Sequence, residues 1–409
     1  MTQAAVCPPA ELVAWTVEVD DPGDLLSWLP AGEAFAFLRA GDGIVGWGEA
    51  ARLESPDPAE VERYLGAVTV RDDVGLAGCG AVALASVGFD PQIDASVVVV
   101  PQVVLGRRSG RSWLTLVTPP GAVQVPALRR RPVAAAGPST ATLDAPVPEP
   151  DHWRAAVADA LVSLRSGALD KVVLARALDV VAKSGLDPRA VAARLAARFP
   201  ACFTYLCDGL VGASPELLVR RTGRHAESLV LAGTVRRGTT PEEDAQLEQT
   251  LLHSGKDQIE HRMAVDSVRE TLAAVAADVV ADPRPQLVRL ANVSHLATHV
   301  DAWLPNPAPS ALALATQLHP TAAVGGTPRQ AAMEAIRRLE AAPRGRYAGP
   351  VGWLDANGDG EFAIALRCAQ LSGDRARLWA GAGIVADSDP DAELAETAAK
   401  FDAVLSALS

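Results

Sequence analysis

Two hydrophobic rhythms run along the chain. In some segments apolar residues alternate with small or polar ones, and in others they recur every three or four positions. Residues 35–50 read FAFLRAGDGIVGWGEA, two β-prone runs around Ala40-Gly41-Asp42-Gly43, which predicts a hairpin. Further β-rich runs lie at 81–89, 96–105 and 112–117. From 118 to 150 the chain turns to Pro, Ala, Gly and Ser around the triplet Arg129-Arg130-Arg131. That stretch reads as a surface connection, and the triplet as a solvated loop, since no aromatic residue is interleaved with it. Beyond Asp151 the two rhythms alternate, with helices over 153–166, 188–198, 328–340 and 391–408. Strand runs fall at 171–181, 202–207, 210–220 and 377–385, and a hairpin pairs 348–354 with 361–371. A long helix is predicted from Pro241, with Thr240 as cap, Glu243 at capping-box spacing and an apolar stripe through Ile259, Met263, Val268 and Leu272. Strands grouped in hairpins with helices between them predict an α+β layered fold rather than a strict βαβ winding. The chain divides into a β-rich part (1–117), the connection (118–150) and a mixed region (151–409).

Composition narrows the class. With 409 residues, 49% hydrophobic and 21% charged, the chain has the make-up of a globular enzyme with a sizeable core. A net charge of −12 argues against a nucleic-acid or anionic-membrane partner, which would want a basic face. An anionic small molecule is compatible with it if cations are gathered locally in a pocket. The five cysteines (Cys7, Cys79, Cys202, Cys207, Cys368) form no CxxC pair and have no zinc-ligand spacing. They read as small buried hydrophobes of a reducing compartment. The first fifteen residues lack a secretory pattern, and the apolar stretch 96–105 is too short for a bilayer and broken by Pro101. A cytoplasmic protein is expected.

Several residues have the types that chemistry needs. Asp257 and Glu260 share a helix face, as do Glu393 and Glu396, with Lys400 one turn beyond. Two such pairs could supply hard oxygen ligands for Mg²⁺, although solvated helix faces explain the spacing better on its own. In EFAIALRCAQL (361–371), Ala363, Ala365 and Arg367 share a strand face, so that small residues leave room for a carboxylate on the arginine fork. An arginine paired with a structural acid fits that pattern equally. Gly381-Ala382-Gly383 would let backbone N–H groups approach an anion, or would serve tight packing. Lys171 opens the strand run KVVLAR, and Glu216 sits in ASPELLV. Each is either an ordinary edge charge or, if buried, half of a base–acid pair. Gly233-Thr234 reads as a turn or a ligand-binding corner, and His295 as a core or a pocket histidine.

Taken in order, KVVLAR (171–176), SPEL (214–217), LAGTVRRG (231–238), SGKDQIEH (254–261), HPTAAVGG (319–326), PRGRYAGPVGW (343–353), ALRCA (365–369), AGAGIV (380–385) and ELAETAAK (393–400) resemble the motifs of the chorismate-utilising enzymes. GAVALASVGFDP (80–91) is similar to the family's N-terminal "FDP" segment. The resemblance covers about 150–408 and implies a layered sandwich of large, mainly antiparallel sheets flanked by helices. It also implies roles. Lys171 matches the lysine that activates water for attack at C2 of chorismate, and Glu216 the acid that protonates the departing C4 hydroxyl. Glu260 and Glu396 match the principal Mg²⁺ ligands, with Asp257 and Glu393 as outer partners. Arg367, Tyr347, Gly383 and Lys400 match groups that hold the substrate carboxylates, while Gly233, Thr234 and His295 line the pocket.

Within the family, a lysine at 171 is the mark of members that use water rather than ammonia, so no glutaminase subunit is expected. Ala323 resembles the isochorismate synthases, where salicylate-forming and amine-forming members carry Thr. Tyr347 and Leu366 are also found in salicylate synthases, which leaves a synthase that goes on to eliminate pyruvate as the alternative. The implied protein is a monomeric Mg²⁺ enzyme acting on chorismate, with no nucleic-acid or membrane partner.

Overall fold

The computed structural model describes residues 11–121, 129–131, 141–183, 185–290 and 293–408. Cys7, and 122–128 and 132–140 within the predicted connection, lie outside them.

Strand pairing organises everything else. The strand Val97–Arg108 pairs along one edge with Asp42–Glu54, and along the other with Val82–Ser86 and Arg111–Thr118. Two arms of sheet leave it. The first passes through Ala34–Arg39, Phe203–Cys207, Leu210–Ser214, Cys368–Ser372 and Arg375–Ile384 to Lys171–Ala182. The second passes from Val82–Ser86 through Pro350–Asp355, Gly360–Ile364, Leu217–Thr222 and His225–Arg236 to Val293–Trp303. All these ladders are antiparallel, and Val13–Val19 runs parallel only with Thr69–Asp72. Phe37, Phe203 and Tyr205 of the first arm share one core with Val219 and Phe362 of the second. Fully burying such side chains contributes about 1.5–3 kcal/mol each, which holds the arms together.

Eight α-helices flank the sheet among the described residues: α1 (Pro58–Ala67), α2 (Pro150–Arg165), α3 (Pro188–Arg198), α4 (Pro241–His253), α5 (Gly255–Ala273), α6 (Ala311–Leu318), α7 (Arg329–Leu339) and α8 (Pro390–Leu408). A second core lies where Leu195 of α3 and Phe401 and Val404 of α8 meet Leu206 and Leu378 of the first arm.

The hairpin at 35–50 forms as predicted, because Ala40 and Gly41 both take positive φ (51° and 85°), as its two-residue turn requires. Three expectations fail, the first for a local reason and the other two because of long-range strand pairing. The long helix from Pro241 is two helices. Ser254 has extended backbone (φ −69°, ψ 113°), ends α4, and accepts the Asp257 N–H to cap α5. The buried stripe of α5 is therefore His261, Ala264, Val268 and Leu272, and Ile259 is exposed. Secondly, Ala141–Val147, inside the predicted connection, is an edge strand on Lys171–Ala182. The Arg130 guanidinium there lies 5.6 Å over Trp28, an aromatic partner far away in sequence. Thirdly, the runs 210–220 and 361–371 are not single strands. Each is cut at its middle and passes from one arm to the other, so the two-residue alternation assumed for Ala363, Ala365 and Arg367 stops at Ile364.

Candidate active site

Those two cuts build the site. Pro215-Glu216 joins Leu210–Ser214 to Leu217–Thr222, and Ala365-Leu366-Arg367 joins Gly360–Ile364 to Cys368–Ser372. The crossovers run side by side, with Ile364 N donating to Glu216 O (3.2 Å) and Ala213 N to Arg367 O (3.2 Å). Nearby, the ladder between His225–Arg236 and Val293–Trp303 shifts register at Gly233, whose φ is +75°. The predicted corner is thus a β-bulge. A Cβ at 233 would stand 3.3 Å from Asp257 Cβ, so glycine here also lets α5 approach.

Between these elements, α5, α8 and Arg375–Ile384 lies a cleft with about 1110 Å³ of free space, part of it open to solvent. Every site residue expected from the sequence lines it except Lys171. Lys171 lies in the wall, wholly buried, with Nζ 2.8 Å from Glu260 Oε1. The contact is an ion pair whose angles do not make a hydrogen bond. Gly383 makes this possible, because a Cβ there would come within 2.8 Å of Glu260 Oε1 and 3.1 Å of Lys171 Cε.

Charge is arranged unevenly around the cleft. Burial pushes the Glu216 carboxyl up to about 8, against the opposing pull of Lys171, the Leu231 N–H and Arg367. Burial would also raise Glu260, but Lys171, with Lys400 and Lys256 behind it, holds it below the usual carboxylate range. Glu393 is raised, mainly by burial, and Lys256 lies 3.9 Å from it. Lys400 bridges Glu396 (2.7 Å) and the Gly381 carbonyl (2.8 Å). Arg367 is buried, and burial pulls its guanidinium below its ordinary value. Its Nη2 contacts His295 Nε2 at 3.1 Å, and His295 Nδ1 lies 2.9 Å from Thr234 Oγ1. Cys202 sits beside the same guanidinium, yet Nη1 has no well-formed hydrogen bond. Tyr347 is buried with its ring stacked on Trp379, centroids 6.0 Å apart.

A raised acid, a buried lysine and a free arginine donor thus meet in one cleft built by strand crossovers. The family model for "Chorismate binding enzyme" matches residues 8–409. The chain belongs to the chorismate-binding enzyme family. A Mycobacterium tuberculosis protein provisionally named isochorismate synthase MenF is 42% identical over 346 residues, covering 81% of this chain and 87% of that protein. The isochorismate synthase DhbC of Bacillus subtilis is 38% identical over 64% of this chain and 69% of its own length. The solved menaquinone-specific isochorismate synthase MenF of Escherichia coli superposes with a TM-score of 0.84 at 28% identity, over 99% of this chain and 97% of that one.

For a chorismate-binding enzyme, the acids matter as possible metal ligands. Glu260 and Asp257 from α5 and Glu393 and Glu396 from α8 all face the cleft. Among the described residues no three His, Cys, Asp or Glu side chains stand close enough to hold an ion by themselves. Mg²⁺ asks for less, one or two carboxylates with waters and substrate oxygens, and this donor set fits that demand. Three lysines now neutralise these acids: Lys171 on Glu260, Lys400 on Glu396 and Lys256 on Glu393. Lys256 was not singled out in the sequence, although it stands one residue before Asp257 in SGKDQIEH. Arg344 was also missed. It is buried behind the cleft, donating to the carbonyls of Val173 (2.7 Å) and Val324 (2.8 Å), and pairs with Glu340 at 2.5 Å. Only its place in PRGRYAGPVGW marks it in sequence.

Proposed function

We propose that the protein is an isochorismate synthase, a Mg²⁺-dependent isomerase converting chorismate to isochorismate. The observation that carries this reading is the buried base–acid pair. Lys171 stands in the cleft wall, within electrostatic reach of a Glu216 that keeps its proton at neutral pH. Relatives named as isochorismate synthases support it.

In the reaction Lys171, freed from Glu260 and having lost its ammonium proton to solvent, takes a proton through Nζ from a water whose oxygen bonds to C2. The ring double bonds shift and the C4–O bond breaks, with the Glu216 proton passing to the departing oxygen. One water enters and one leaves, so substrate and product are isomers. An acid at about 8 holds its proton until it is needed and is still strong enough to give it up. Arg367 supplies an unengaged N–H for a substrate carboxylate, with Lys400, Tyr347 and the Gly383 backbone close by. Lys171 faces the cleft only once Glu260 releases it, which couples the base to the carboxylates around it. Bound Mg²⁺, held by Glu260 and Glu396 with Asp257 and Glu393 at its outer side, would stabilise charge on the ring carboxylate.

The test is purified protein with chorismate and Mg²⁺, products resolved by NMR or HPLC. Isochorismate without pyruvate, abolished by EDTA, is expected. Salicylate with stoichiometric pyruvate would replace this reading with the lyase, and turnover indifferent to EDTA would remove the metal.

A further inference from the structure

Arg367 has a bulky side chain yet holds φ at +48°, a region that L-residues other than Asn and Asp seldom occupy. Something must hold the peptides on either side of it. Ala365 N donates to Gly349 O (2.8 Å) and Ala213 N to Arg367 O (3.2 Å), both main-chain bonds. Leu366 N donating to Ile364 O and Ala348 N to Ala365 O (both 2.8 Å) add to these, and one further bond comes from a side chain: the Tyr205 hydroxyl donates to Leu366 O at 2.8 Å.

Tyr205 is wholly buried in the strand Phe203–Cys207 and does not line the cleft. Its ring lies over Gly212, the residue facing it in the neighbouring strand. A Cβ at 212 would run into the Tyr205 hydroxyl and come within 2.7 Å of Cys368 Cβ. The phenol therefore fills a slot left open for it, and its oxygen is delivered to the one carbonyl that precedes Arg367.

We infer that Tyr205 is a positioning residue for substrate capture. Its hydroxyl fixes the peptide between Leu366 and Arg367 and so sets the aim of the guanidinium that receives a carboxylate of the substrate. This deepens the proposed chorismate reading and rests on it. A phenol that never touches the ligand acts on affinity through Arg367, which is the least of the influences on the Glu216 carboxyl, so the proton transfers should change little.

The test is Tyr205→Phe, with steady-state kinetics and calorimetric titration of chorismate in Mg²⁺. KM and Kd should rise about tenfold, the loss of one such bond, with kcat within about twofold of wild type. In an Arg367→Lys background the same change should add little, because both act on one contact. Gly212→Ala, which drives the hydroxyl off Leu366 O, should reproduce the KM effect, and it serves as the second probe where Tyr205→Phe folds poorly. Unchanged KM in both variants, or full additivity with Arg367→Lys, overturns the inference. Failure of the wild-type protein itself to turn over chorismate overturns the functional reading instead.

Discussion

Arg367 Nη2 lies 3.1 Å from His295 Nε2, and because a guanidinium only donates, that ring nitrogen accepts. Burial, then Arg367 and Lys400, push the imidazole down to about 3, so it is neutral and carries its proton on Nδ1. Nδ1 donates to Thr234 Oγ1 at 2.9 Å, which leaves the threonine's own O–H free to donate into the cleft it lines. Polarity thus runs from Arg367 through His295 to Thr234. Thr234→Val should raise KM for chorismate about tenfold, whereas Thr234→Ser should stay within about twofold. Equal kinetics for the two variants would show that the hydroxyl donates nothing to the substrate.

In the proposed reaction Glu216 sets the alkaline limit. Its carboxyl is raised by burial to about 8, so the native protein keeps a proton that the unfolded chain has released above about 4.5. The sign follows. Between those values the native state binds more protons, and stability falls as pH rises. Activity falls above about 8, where the acid has lost its proton. We expect kcat/KM to decline about tenfold per pH unit beyond that point, measured in overlapping buffers from pH 6 to 10. A profile flat to pH 9.5 would remove Glu216 from the role of acid.

Gly383 is required for space, and its φ is not in the left-handed region. A methyl there would press on Glu260 Oε1 and Lys171 Cε, the two groups that the proposed reaction requires to separate. Gly383→Ala should lower kcat by about a hundredfold, the cost of misplacing a base by an ångström. Its thermal midpoint should stay near that of wild type, since the clash meets the ends of flexible side chains. Wild-type kcat in this variant would mean that Lys171 and Glu260 have slack that the cleft does not show.

Much of this was legible in the chain. Elements with their own turn and cap chemistry, such as the hairpin at Ala40-Gly41 and α3 behind Asp187 and Pro188, follow from local rules. The long strand Lys171–Ala182 follows from its apolar run. The crossovers at Glu216 and Arg367 do not, because nothing local says that a strand will change arms; only the ladders on either side impose it. Lys171 and Glu216 were each ambiguous for the same reason, since burial is a tertiary property that a spacing cannot report. The break at Ser254 was visible in part. A serine followed three residues later by Asp257 is a capping pattern, masked by the apolar rhythm running across it.

Arg344 carries the support of the cleft floor. One guanidinium holds the carbonyl of Val173, two residues from Lys171, and that of Val324, beside Ala323, and lies 4.0 Å over the Phe89 ring. Glu340 completes the unit, accepting from Arg344 and, at 2.8 Å, from the Ala175 N–H. Burial raises the Glu340 carboxyl and Arg344 pulls it back, so removing the arginine strands an acid in the interior. Arg344→Ala should destabilise the protein by about 3–5 kcal/mol, read as a lower urea midpoint at unchanged m-value. Arg344→Met combined with Glu340→Gln should recover part of that loss, because the stranded charge is gone, but not the activity, because Val173 and Val324 are no longer tied together. A double variant as active as wild type would show that the strand of Lys171 keeps its place without this clamp.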